Sequence, residues 1–111
     1  MKKYWAELLG TYILVFVGTG AIMINEITGG TVSHLGVGLS FGLVVMAMIY
    51  AIGDISGAHI NPAVTIAFAV AKRFPKNQIL VYISFQLVGA ILASASLYFI
   101  LSVFLFFQYI F

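Results

Sequence analysis

Apolar positions in this chain do not alternate with polar ones; they come in long blocks separated by short polar breaks. The first block runs from Trp5 to Ile24 with Glu7 its only charge, and the second from Leu35 to Gly53 with none. Beyond Lys76 nothing is charged through Phe111, and Ile79 to about Leu101 forms a third block. A helix crossing the hydrocarbon core needs about 20 mainly apolar residues. The pattern therefore predicts spanning helices over about 5–24, 35–53 and 79–101. A fourth stretch, Asn61 to Ala71, differs in kind: its eleven residues reach only about 16 Å as a helix, half the hydrocarbon thickness. It begins at Pro62 and ends at the basic cluster Lys72, Arg73 and Lys76, which predicts a re-entrant half-helix over about 61–71. The competing reading is a short cytoplasmic helix packed under the bundle. The expected architecture is an all-α membrane protein: residues 1–111 as one repeat of three transmembrane helices plus one re-entrant half-helix.

Composition narrows the function classes. Hydrophobic residues make up 63% of the chain and charged residues 7%, with a mean hydropathy of +1.16. A soluble domain carries about 25% charged residues, so a soluble enzyme or a nucleic-acid-binding domain is excluded. With no cysteine there is no disulfide framework and no thiolate site. Two histidines and three carboxylates are too scattered for a metal centre or a catalytic constellation. The glycines at 29–30 and 53–57 lack the Lys-Ser/Thr sequel of a phosphate loop. No enzyme activity and no cofactor is expected.

The five basic residues set the topology. Lys2 and Lys3 precede the first helix, and Lys72, Arg73 and Lys76 lie between the second and third spans. The loop from Asn25 to His34 carries neither Lys nor Arg. After three crossings both basic segments share one side of the cell membrane, which the positive-inside rule makes cytoplasmic, with the amino terminus inside the cell and the carboxyl terminus outside. Lys2 and Lys3 ahead of an apolar run also suit a secretory leader. The length of the run, Glu7 within it and the lack of a small-x-small cleavage site favour a retained helix.

Candidate chemistry concentrates in Ser56-Gly57-Ala58-His59-Ile60-Asn61-Pro62-Ala63-Val64-Thr65. Asn is a favoured N-cap, and Pro at the first helical position has no N–H to leave unpaired. A half-helix starting there near mid-bilayer presents free N–H groups and the positive end of its dipole. The carbonyls of Gly57, Ala58 and His59, in non-helical backbone at membrane depth, need protein or water as partners. Acceptors, an amide donor and a positive dipole end together suit neutral hydrogen-bonding solutes and repel cations.

This segment closely resembles the first Asn-Pro-Ala signature of the aquaporin and glycerol-facilitator (major intrinsic protein) family. Ala6-Glu7-Leu8-Leu9-Gly10-Thr11 looks like that family's first-helix motif, Leu39-Ser40-Phe41-Gly42-Leu43 like its second-helix motif, and Gln86-Leu87-Val88-Gly89-Ala90 is similar to its third helix. The resemblance covers roughly residues 4–100. It implies a passive channel for water or small neutral solutes. Asn61 would donate its side-chain amide at the pore centre, with Pro62 and Ala63 completing the signature. Gly57, Ala58 and His59 would supply a carbonyl ladder, and Phe41 one wall of the selectivity constriction. Phe at that place is more usual in water-selective members, and Trp in glycerol facilitators. Glu7 and Gln86 would brace the re-entrant loop. Asp54 departs from the pattern, where His is more common.

The family's pore lies between two inverted repeats, as transport sites often do, and the residues above match the first. The implied partners are the lipid bilayer, the solute, and a second-repeat chain or copies of this chain. Antiparallel pairing of copies runs against the charge bias, which favours a single orientation. Two other readings remain: a small multidrug antiporter-like, proton-coupled transporter using Glu7, and a membrane fragment that conducts nothing. The strongly apolar stretch from Ser102 to Phe111 suggests either an overlong third helix or an end unlike the family's.

Overall fold

The computed structural model describes residues 1–111 and is all helical. Helix α1 spans Lys2–Ile27, α2 Ser33–Ser56, α3 Pro62–Val70 and α4 Ile79–Ile110, with a single 3₁₀ turn at Lys76–Gln78 leading into α4. Three of these are long and apolar enough to cross a membrane, while α3, at nine residues, is not. Helices are the expected outcome for apolar blocks in lipid, because every backbone N–H and C=O must be satisfied within the segment. The first two long helices extend about a turn beyond their apolar blocks. The last runs nine residues past Leu101, since Ser102–Ile110 contains neither Pro nor Gly to stop it. At about 1.5 Å per residue, its 32 residues exceed the thickness of the hydrocarbon, and the final turns stand clear of the other helices.

Helix α1 is the centre of the bundle, packed against α2 on one side and α4 on the other, and α3 rests on α4. The buried positions of α4, namely Tyr82, Gln86, Gly89, Ala93 and Leu97, recur at the three- and four-residue steps that place side chains on one helical face. At Gly89 the α1 and α4 backbones meet: an added Cβ would run into the Leu8 carbonyl oxygen and approach the Tyr12 nitrogen to 3.1 Å. This is the close approach that small residues permit between helices in lipid. The matching small pair on α2, Gly38 and Gly42, has no atom within 4 Å of its would-be Cβ positions. It stays open because α2 turns Val44, Ile52 and Ser56 inward instead.

The interior is polar and the exterior apolar. Only 18 of 111 residues are buried, and Glu7, Thr11, Ser56, His59, Thr65 and Gln86 are among them. Large apolar side chains such as Leu35, Tyr50, Leu80 and Phe99 are exposed. In water this distribution would be unstable; with lipid as the solvent it is the stable one.

Candidate functional site

After α2 the chain must reverse within a few residues to reach α3. It does so through three left-handed residues in four: Gly57 at φ +87°, Ala58 at φ +47° and Ile60 at φ +42°. Gly57 ends α2 without strain, its N–H bonding Gly53 O at 2.8 Å. Ala58 and Ile60 carry a Cβ and cost about 1 kcal/mol each in that region, so the surroundings must hold them.

The clamp is Glu7 of α1, which is fully buried. One carboxylate oxygen accepts from the Ser56 hydroxyl at 2.6 Å and the His59 N–H at 2.9 Å. The other accepts from the Ile60 N–H at 2.7 Å and from Gln86 Nε2 at 2.7 Å. Four donors converge on one anion, and two are the backbone amides of the reversed loop. Gln86 of α4 also donates to Thr65 Oγ1 of α3 at 2.9 Å, joining α1, α3, α4 and the loop in one network. Ser56 closes a further turn by accepting the Ala58 N–H at 3.1 Å.

On the far side of the loop, the His59 ring is held at Nδ1 by Thr65 Oγ1 at 3.1 Å and lies among Phe68, Phe74 and Tyr82, with centroids 4.8–5.2 Å away. Tyr82 also donates its hydroxyl to Ser56 O at 2.8 Å, satisfying a carbonyl at the α2 terminus. Tyr82→Phe is expected to cost about 1 kcal/mol, the net worth of one neutral hydrogen bond. Its check is equilibrium unfolding in mixed detergent–SDS micelles, with tertiary structure followed by near-ultraviolet circular dichroism.

Helix α3 opens on Asn61, whose backbone is extended and whose Oδ1 accepts the Ala63 N–H at 2.8 Å. With the oxygen committed to the cap, the amide nitrogen has no hydrogen-bond partner in the chain. Asn61 O takes both the Thr65 N–H at 3.1 Å and the Thr65 hydroxyl at 3.3 Å. No hydrogen bond ends on the carbonyls of Gly57, Ala58 or His59.

Asn61 and Pro62 border a recess of about 280 Å³ shared by α1, α2, α4 and the loop, whose lining includes Phe41, Gln86 and Thr11. Of the sequence candidates, the structure thus brings Phe41, Asn61, Pro62 and Gln86 to one cavity. Glu7 lies beneath it, anchoring the loop. Gly57, Ala58, His59 and Ala63 are not on its wall; Ala58 and His59 are buried, and the His59 side chain is committed to the aromatic cluster. No group of three or more His, Cys, Asp or Glu residues stands together to hold a metal ion. Phe41 is set by Gly18 of α1, where an added Cβ would run into the ring.

Thr11, Thr65 and Tyr82 belong to the site; the sequence motifs include Thr11 and Thr65 without a role for either, and none of them contains Tyr82. Thr11 stands one helical turn from Glu7 and Thr65 one turn from Asn61, the i, i+4 relation that places side chains on a common face. That signal was readable. The role of Tyr82 was not, because only the fold brings it to Ser56. Thr11 Oγ1 and Gln86 Oε1 are buried without a hydrogen-bond partner, and both residues border the recess.

Comparison with known proteins places this geometry in context. A family model described as Major intrinsic protein matches residues 1–106. The chain is 50% identical over 96 residues to the Probable aquaporin NIP4-2 of Arabidopsis thaliana, covering 86% of the chain and 34% of that protein. It is 50% identical over 97 residues to Aquaporin NIP1-1 of Oryza sativa subsp. japonica, covering 87% and 34%. With the Probable aquaporin NIP-type of Nicotiana alata it shares 48% over 97 residues, covering 87% and 36%. The chain spans about a third of the length of the curated relatives it matches.

Proposed function

This chain belongs to the major intrinsic protein family, and on that premise we propose that it supplies one half of a passive transmembrane channel for water or small neutral solutes, completed by a second repeat. The observation that carries this reading is the free amide of Asn61 at the opening of a half-helix, facing a recess walled by Phe41 and Gln86. A neutral solute reaching that point meets a donor from Asn61 and the positive end of the α3 dipole. A cation meets the same dipole and no carboxylate, since Glu7 is enclosed by its four donors. That enclosure also weighs against a proton-coupled antiporter, which needs a carboxylate able to exchange protons with the aqueous phase. The unbonded carbonyls of Gly57, Ala58 and His59 extend the path along the loop, and Phe41 narrows the recess from α2.

The second repeat supplies the opposing wall. The lipid partner is the cell membrane, entered with the amino terminus cytoplasmic. The contact of Lys3 Nζ with Gln78 Oε1 at 2.6 Å supports that orientation, because it gathers Lys2 and Lys3 at the same end of the bundle as Lys76.

Stopped-flow light scattering on proteoliposomes tests the proposal. Liposomes bearing this chain alone are expected to match empty liposomes in osmotic water permeability. A rise would overturn the need for a second repeat. In the completed pore, Asn61→Asp places a carboxylate beside the dipole, and is expected to lower water flux and to admit cations. Unchanged flux together with an unchanged cation leak would remove Asn61 from the conducting path.

A further inference from the structure

The groove between the carboxyl-terminal end of α3 and the start of α4 lies outside the proposed path. Its volume is about 300 Å³, and it is lined by the apolar Ile66, Ala69, Val70 and Ile79 together with Lys72 and Lys76. Lys3 is the one lysine whose ammonium is hydrogen-bonded within the chain; those of Lys72 and Lys76 have no partner. Glu7 is sealed in the interior, and neither of the other two carboxylates, Glu26 and Asp54, hydrogen-bonds to either lysine.

The position of the groove in the bilayer follows from α3. Its nine residues rise about 14 Å, close to half of the hydrocarbon thickness of about 30 Å. With Asn61 near the mid-plane, Lys72 and Lys76 reach the level of the lipid phosphates, while Ile66 and Val70 stay at acyl depth. The turn that ends α3, closed by Lys72 N–H to Ala69 O at 3.1 Å and Arg73 N–H to Phe68 O at 2.8 Å, keeps Lys72 beside the groove.

We infer that this groove is a binding site for an anionic phospholipid, with the headgroup phosphate between Lys72 and Lys76 and an acyl chain along Ile66, Val70 and Ile79. Unpaired ammonium groups at headgroup depth above an apolar floor complement an anionic lipid in both charge and polarity. A free phosphate would use only the lysines, and a zwitterionic lipid would gain less from them. The inference rests on the re-entrant placement of α3 and not on conduction. Loss of lipid selectivity with normal flux, or the reverse, therefore separates the two.

Native mass spectrometry of the full chain released from detergent micelles tests it, with dioleoylphosphatidylglycerol and dioleoylphosphatidylcholine supplied at equal concentration. Retention of phosphatidylglycerol is expected to exceed that of phosphatidylcholine severalfold. Each lysine near an anionic surface strengthens association several times over, so Lys72→Gln with Lys76→Gln is expected to reduce retention about tenfold or more. Lys2→Gln with Lys3→Gln is expected to leave it largely intact. Val70→Trp fills the groove with both lysines in place and is expected to reduce retention as well, which keeps the test decisive if the double lysine variant fails to fold. Equal retention of the two lipids, an equal loss in the Lys2 and Lys3 variant, or displacement of phosphatidylglycerol by millimolar inorganic phosphate would each overturn the assignment.

Discussion

Glu7→Gln is expected to destabilise the fold by about 3–5 kcal/mol and to release the reversed loop at residues 57–60, although the two side chains are nearly the same size. The carboxylate accepts four hydrogen bonds, two on each oxygen, from Ser56, His59, Ile60 and Gln86. An amide offers one oxygen and one NH₂. Whichever way it is turned, its two donors face two of those four donors, and at least one backbone N–H of the loop is left unpaired. A buried donor without a partner costs about 1–3 kcal/mol, and a hydrogen bond to a charged acceptor is worth about 1.5–3 kcal/mol. The left-handed backbone at Ala58 and Ile60 would then lose the contacts that hold it. Unfolding in mixed detergent–SDS micelles measures the stability loss. Proteolysis or amide exchange at residues 57–61 measures the loosened loop. Wild-type stability and protection in the variant would show that Glu7 does not clamp the loop. Glu7→Asp should fall between, since it keeps the charge but withdraws the oxygens by one methylene.

The second large effect is expected at Gly89. Even Gly89→Ala puts a methyl group into the Leu8 carbonyl oxygen and within 3.1 Å of the Tyr12 nitrogen. Both are backbone atoms of α1 and cannot rotate aside. The helices must separate, and overpacking of this kind costs about 1–3 kcal/mol. Here the cost extends to the network, because Gln86 lies one turn away on the same face and its bond to Glu7 at 2.7 Å depends on the same helix spacing. Gly89→Leu should abolish the native bundle, while Gly38→Ala, in open space on α2, should leave the isolated chain unchanged. Trp5 is the one tryptophan of the chain and stands edge-on to Phe85 with centroids 5.4 Å apart, so its fluorescence reports the separation of α1 from α4 directly. Unchanged emission and stability in Gly89→Ala would show that the two backbones are not in contact there.

The contrast between two pairs of small residues shows where sequence reading stops. Gly38 with Gly42 and Gly89 with Ala93 present the same small-xxx-small spacing, yet within this chain only the second meets a neighbouring helix. The spacing says that a close approach is possible; which helix arrives is a property of the whole arrangement. His59 teaches the same lesson. Its neighbours in sequence mark it as part of a candidate path, but its ring belongs to a cluster with Phe68, Phe74 and Tyr82, drawn from α3, the connection after it and α4.

Other features were legible because their causes are local. Long apolar blocks with at most one charge form helices in lipid, so α1, α2 and α4 follow from the pattern, as does the shortness of α3 between Pro62 and the basic cluster. The Asn61 cap follows from two adjacent residues, an acceptor side chain and a ring with no N–H. The sequence by itself therefore determined the element types, the half-helix and its cap, and the gathering of positive charge in two segments. The tertiary structure alone decided that Glu7 takes two backbone amides from a loop some fifty residues away, that Gln86 joins it to Thr65, and that Phe41 and Asn61 face one recess. The division has a physical origin. Burial in lipid and helix capping are satisfied within one turn or one segment, whereas a buried carboxylate finds its donors only after the packing of α1, α4 and the reversed loop has brought them together.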